Sequence, residues 1–138
     1  MFLVDIIYKP IGKIHSPYAR KEETPRQGIL AGDIEFRIEI FSEFSEGLNG
    51  IERYEYLIVL SHFHKSVFRG LKIFPHGSSE KRGVFATRSP NHPNPIAFNV
   101  VKLIKREGNI LVVKELDAID GTPVLDIKPF IPSLDAKF

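Results

Sequence analysis

Cysteine is absent from this chain of 138 residues. That excludes a disulfide framework, a thiolate nucleophile and a Cys-ligated zinc, so any metal would have to use His, Asp or Glu. Long apolar runs are also missing: charges or prolines interrupt every stretch, as Asp5 and Lys9 do near the N-terminus. None approaches the roughly 20 residues of a membrane-spanning helix, and no signal peptide is visible. Internal repeats, low-complexity tracts and linkers are likewise absent. These exclusions leave a chain expected in the cytoplasm, with no membrane partner, and forming one domain over residues 1–138. Its 43% apolar and 26% charged residues suffice for a core of its own.

The net charge of +2 conceals an uneven distribution. Residues 1–64 hold 7 basic and 10 acidic side chains, residues 65–116 hold 10 and 3, and residues 117–138 hold 2 and 4. The basic middle is either a solvated face or the footprint of an anionic partner, since Lys and Arg displace counterions from a phosphate backbone.

Helix signals are few and strand signals many. Ile34, Phe36, Ile38 and Ile40 alternate with Glu35, Arg37 and Glu39, the period of a half-buried strand. Tyr56 to Leu60 is a short apolar run of β-formers leading into Ser61-His62-Phe63-His64. Strands are further predicted at 11–15, 83–87, 96–104, 110–115 and 124–128, with Gly108-Asn109 as a hairpin turn. Ser42 is the expected cap of one short helix to about Leu48, which Gly47 and Gly50 limit. The predicted fold is mostly β, a single barrel-like domain with one short helix and long loops, residues 65–82 being the longest. A split α+β sheet is the alternative.

Four segments hold more polar and conformationally special residues than turns require. In Thr24-Pro25-Arg26-Gln27-Gly28, Pro25 restrains the backbone while Arg26 and Gln27 offer donors for a carboxylate or a base edge. An exposed turn is the bland alternative. Alternation predicts His62 and His64 on one face of their strand and Phe63 on the other. These two histidines, with His76 and His92, are also the ligands that a metal-dependent barrel hydrolase would need. In residues 83–96, GVFATRSPNHPNPI, three prolines stiffen a loop able to hold Arg88 as a forked anion clamp, and Asn91 and Asn94 are expected to bond their own backbone. In residues 116–129, LDAIDGTPVLDIKP, a tight Asp-Gly-Thr-Pro turn sits among Asp117, Asp120 and Asp126.

These segments, with the opening PIGKIHSPY, resemble the TsaA-like, or TrmO, family of tRNA methyltransferases, in the family's order and over residues 10 to 132. The resemblance implies a β-barrel-like homodimer of the shorter, core-only type. It implies S-adenosylmethionine as cofactor and N6 of the threonylcarbamoyl-adenosine next to the tRNA anticodon as acceptor. Carried over by position, the cofactor contacts fall on Pro25, Arg26 and Gln27, on Phe63 and His64, on Arg88, on Phe98, and on Asp120, Gly121, Thr122 and Pro123. The chain departs from the family pattern at His92, where Arg is usual, at Ala97-Phe98-Asn99, where Gly-Leu-Ser is usual, and at Tyr54-Glu55-Tyr56.

The acceptor nitrogen implied by the resemblance keeps a proton, so a base is expected. Asp126 and His64 are its candidates, with Lys128 as stabiliser of the developing anion and no metal. The tRNA phosphates are expected on the basic segment 65–106. A non-catalytic RNA-binding module of the same fold, or the His-ligated hydrolase, is the competing expectation.

Overall fold

Period-two patterning builds the framework of the computed structural model, which describes residues 4–24 and 32–136. The strands are β1 (Gly12–His15), β2 (Phe36–Ile40), β3 (Tyr56–His62), β4 (Lys72–Ile73), β5 (Arg82–Gly83), β6 (Ile96–Glu107), β7 (Ile110–Lys114) and β8 (Pro123–Pro129). Six of them close a barrel in the order β1-β2-β7-β6-β3-β8, every neighbouring pair antiparallel. β4 and β5 form a separate two-stranded ribbon within the long loop. The mostly β barrel expected from sequence is the fold observed, rather than the split sheet.

Alternation sorts the side chains of each strand into two sets. Leu57, Val59 and Ser61 of β3 are buried inside the barrel, whereas Tyr56, Ile58, Leu60 and His62 are half-buried on its outer wall. β6 opens in the same way: Ala97, Asn99 and Val101 point inward while Ile96 and Phe98 are exposed. Inside, Leu57, Val59 and Val101 join Ile14, Phe36, Ile38, Leu111 and Val113 in one core cluster. Each such side chain contributes roughly 1.5–3 kcal/mol relative to exposure in water.

Closure is tightest at Gly12, which pairs with both Ile40 of β2 and Val124 of β8. A Cβ at this position would run into the carbonyl oxygen of Glu39. Only glycine lets the two backbones approach so closely.

Several expectations need correction. The short helix expected at 42–48 is present as a 3-10 helix, but its N-cap is Phe41, with no side-chain cap from Ser42. Glycines at 47 and 50 leave too short a run for regular i→i+4 bonding. The α-helix among the described residues is α1 (Pro132–Asp135), where Pro132 opens a single turn. The strand expected at 83–87 stops at Gly83, because Val84 turns into the interior and starts a 3-10 turn. Thr87 fixes that turn by donating its N–H (3.0 Å) and hydroxyl (2.7 Å) to the Val84 carbonyl. Ile34 lies outside β2 and is 38% exposed.

Candidate functional site

Antiparallel order brings three of the four chemically rich segments to one end of the barrel. β3 ends at His62, directly opposite Ile96 at the start of β6, and its Ser61 stands opposite Val124 at the start of β8. The segment after β3, the stiff 87–95 loop before β6 and the 119–122 turn before β8 therefore share one rim. The fourth segment, with Pro25, Arg26 and Gln27, lies outside the described residues.

The two loops on β3 and β6 are tied together. The Phe63 N–H donates to the Pro95 carbonyl at 2.8 Å, the Ser66 hydroxyl to the Pro90 carbonyl at 3.1 Å, and the Asn91 side chain to the Gly70 carbonyl at 3.0 Å. Asn91 Oδ1 also accepts from the Arg69 N–H at 2.6 Å, so this side chain bridges loops instead of bonding its own backbone. Held by this lattice, the exposed Arg88 lies with its guanidinium carbon 5.2 Å from the centre of the Phe98 ring. That places a fixed cation on a flat apolar face.

Phe63 leaves the strand, and the Ser66 N–H closes a turn on its carbonyl at 3.0 Å, so strict alternation of His62 and His64 is not retained. The His64 imidazole titrates below its usual range. Partial desolvation is the main cause, followed by the charges of Lys65 and His62. It is thereby biased to the neutral form that carries a free lone pair.

Asp126 and Lys128 stand on the outer wall of β8, beside Leu60 and Ile58 of β3, and pair at 2.8 Å. The hydrogen bond from the ammonium to Asp126 holds Lys128 in its charged form. Leu60 separates Asp126 from Phe98, each paired to it from one side, so their backbones stand about 10 Å apart by strand spacing. Of the 120–123 turn, Asp120 spends its carboxylate on the Ser16 N–H at 3.0 Å, and Thr122 is buried with its hydroxyl on the Ile119 carbonyl at 2.7 Å. Gly121, with φ of 81°, makes the turn possible. The turn's N–H groups are spent as well, those of Asp120, Gly121 and Thr122 donating to the Tyr18, Ile14 and Ile119 carbonyls.

The sequence reading missed a polar group inside the same end of the barrel. The Asn99 amide donates to Asp117 Oδ1 at 3.0 Å, and burial pushes the Asp117 carboxyl up, partly offset by that hydrogen bond. Nothing in the spacing of Asp117, Asp120 and Asp126 marks the one that folds inward. Glu115, left-handed at φ of 69°, redirects the chain just before it.

The metal set is not assembled. His92 turns its ring to the Thr87 carbonyl (3.2 Å) and to Phe85, and among the described residues no group of three or more His, Asp or Glu side chains is placed to hold an ion. A cavity of about 410 Å³ between the 42–51 segment and β8 has Asp126 in its wall, together with Glu43, Glu46 and the apolar Ile11, Ile40, Leu48 and Ile127. Its charge is wrong for a phosphate. The basic segment is also divided. Lys105 pairs with Glu107, and Arg106 bonds Gly108, Leu48 and Glu52 at the opposite end of the barrel, whereas the basic residues of the 65–82 loop lie on the candidate rim's side.

Residues 13–136 match the tRNA-methyltransferase O N-terminal domain model. A probable S-adenosyl-L-methionine-binding protein of Pyrococcus abyssi is 50% identical over 132 residues, which cover 96% of this chain and 72% of that protein. The tRNA (adenine(37)-N6)-methyltransferase of Mus musculus is 37% identical over 96% of the chain, which spans 32% of the mouse protein. The crystal structure of TrmO from Pseudomonas aeruginosa superposes with a TM-score of 0.82 at 37% identity, covering 97% of this chain and 60% of that one. No helix of the described residues is long and apolar enough to cross a membrane. On the match over residues 13–136 and the shared barrel, this chain belongs to the TrmO family of tRNA methyltransferases.

Proposed function

We propose that this barrel is an S-adenosylmethionine-dependent tRNA methyltransferase, acting in the cytoplasm as one domain, and that its acceptor is N6 of the threonylcarbamoyl-adenosine beside the anticodon. Family membership and the relatives' names support methyl transfer to tRNA. The observation that carries the local reading is the Arg88 guanidinium resting on Phe98 at the rim shared by Phe63 and His64. A charged fork beside a flat apolar face fits a cofactor with a carboxylate at one end and a purine at the other. Arg26, Gln27 and Pro25 are assigned to the same cofactor by family position, as are Asp120, Gly121, Thr122 and Pro123 of the turn on its other edge.

S-adenosylmethionine, when bound, supplies an electrophilic methyl on sulfur. The chain's task is to hold the acceptor nitrogen in line with it and to remove the nitrogen's proton. His64, kept neutral by its surroundings, accepts that proton at a ring nitrogen. The Asp126–Lys128 pair is the second candidate machinery, the carboxylate as base and the ammonium as stabiliser of negative charge on the carbamoyl oxygen.

The homodimer is part of this proposal. Ile58, Leu60, Ile96, Phe98 and Val100 form an apolar strip on the outer wall of β3 and β6, with Ile96 and Phe98 nearly half exposed. A second copy on this strip would cover it and enclose Arg88. Incubation with labelled cofactor and total tRNA from the source, followed by nucleoside mass analysis, tests the reading. Label on N6-methyl threonylcarbamoyl-adenosine supports it, and label on another nucleoside or on none overturns it.

A further inference from the structure

The loop from Lys65 to Arg88 has an unusual surface. It carries six cations, Lys65, Arg69, Lys72, Lys81, Arg82 and Arg88, and the single carboxylate Glu80. Among the described residues none of the six joins an ion pair, whereas Lys105, Arg106, Lys114 and Lys128 all do. Interleaved with these cations are phenylalanines turned to solvent: Phe85 is 79% exposed and Phe74 is 57% exposed.

The Phe85 ring is presented by braced backbone. Phe85 occupies the centre of the 3-10 turn whose first residue, Val84, is 1% exposed and donates its N–H to Leu71 at 2.9 Å. The His92 ring stands 5.9 Å away, tilted by 58°, and so leaves the Phe85 faces uncovered by a parallel neighbour. Phe74 follows β4 at the far end of the ribbon, where the Lys81 ammonium lies 5.5 Å from its ring centre. A protein partner is a poor match, because the cores of protein interfaces are depleted in lysine. Flat apolar rings spaced among unpaired cations instead match single-stranded nucleic acid, whose bases stack while its phosphates take the charges.

We propose that Phe74 and Phe85 are stacking platforms for unpaired bases of the RNA substrate, with Lys72, Lys81 and Arg82 holding the intervening phosphates. The inference rests on the tRNA reading above and deepens it: the loop grips the splayed nucleotides flanking the one presented at the Arg88 rim. Sequence specificity is not required, since every base offers a π-face.

The test is binding of an anticodon stem-loop RNA with 2-aminopurine in its loop, titrated over a salt series against the full chain and its F74A, F85A, F85Y and K72A variants. Loss of either ring is expected to weaken binding roughly 5- to 150-fold and to diminish quenching of the probe, with the salt slope unchanged. F85Y should retain affinity, and K72A should lower the slope by about one. Unchanged affinity in both alanine variants, an equal loss on a fully paired duplex, or a change of oligomeric state in F85A by light scattering overturns the platform. If wild type binds the stem-loop through the rings but transfers no methyl, the methyltransferase reading fails and the platform stands. If it methylates tRNA while F74A and F85A bind normally, the platform alone fails; a wild type that binds no RNA removes both.

Discussion

Arg88 lies over the ring of Phe98, 5.2 Å from guanidinium carbon to ring centre. An exposed cation–π contact contributes only about 0.5–1 kcal/mol, too little to explain the bracing of this loop as a stability device. Its use is to fix the direction of the fork. Arg88→Ala is therefore expected to raise the Kd for S-adenosylmethionine about 10- to 100-fold with little change in Tm. Arg88→Lys should recover only part of this, since an ammonium cannot form two parallel bonds. Calorimetric titration checks both, and wild-type affinity in Arg88→Ala would remove Arg88 from the cofactor site.

His64 titrates below its usual value, chiefly through desolvation. A base of lowered pKa is fully competent above that pKa and is lost by protonation as pH falls through it. Single-turnover rates should thus be level near pH 7–8 and fall about tenfold per pH unit only below 6.5. His64→Gln should cost about 10²–10⁴-fold in kcat and flatten this limb.

Asp126→Asn separates the two candidate bases. With Asp126 as base, the variant loses turnover while its Kd for S-adenosylmethionine stays within about twofold of wild type. Full turnover with the acid limb intact would leave His64 alone in that role.

Asp117 has its carboxyl pushed above 3.8 by burial. The native state therefore holds this proton more tightly than the unfolded chain, and stability falls as pH rises from about 3.8 through the raised value, then levels. Asp117→Asn lacks this charge and keeps an oxygen for the Asn99 amide. Denaturant unfolding should find the variant more stable than wild type at pH 7, the difference shrinking toward pH 4. A difference independent of pH would show that the Asp117 charge is not what burial penalises.

Lys105 pairs with Glu107 at the hairpin tip, far from the 65–88 loop. Lys105→Ala should leave RNA affinity and its salt dependence nearly unchanged. A slope reduced as much as in Lys72→Ala would extend the RNA surface across the whole barrel.

Strands were the legible part of this sequence: alternation at 34–40 and the apolar run of β-formers at 56–60 both mark a chain that lies in a wall, and strands stand at 36–40 and 56–62. That the segments of Arg88, Phe98 and His64 share one rim was legible only through family resemblance, since it depends on which strands pair, a long-range property that local pattern does not carry. The burial of Asp117 and its bond to Asn99 were hidden for a similar reason, the chain being redirected just before it by one left-handed residue, Glu115. The opposite positions of Lys72 and Arg106 were equally hidden, because a run of like charges says nothing about the barrel end each reaches.

Gly12 has a reach beyond its own turn. β1 spans just four residues and touches β8 through the pairs Gly12–Val124 and Lys13–Pro123, so the circumference of the whole cylinder is stitched shut at one short seam. A single methyl group added there would wedge the hoop apart beside the Ile11 N–H bond to Val124. The slack would pass along β8 to the Asp120 corner, loosening one side of the rim without altering any side chain proposed to meet a ligand.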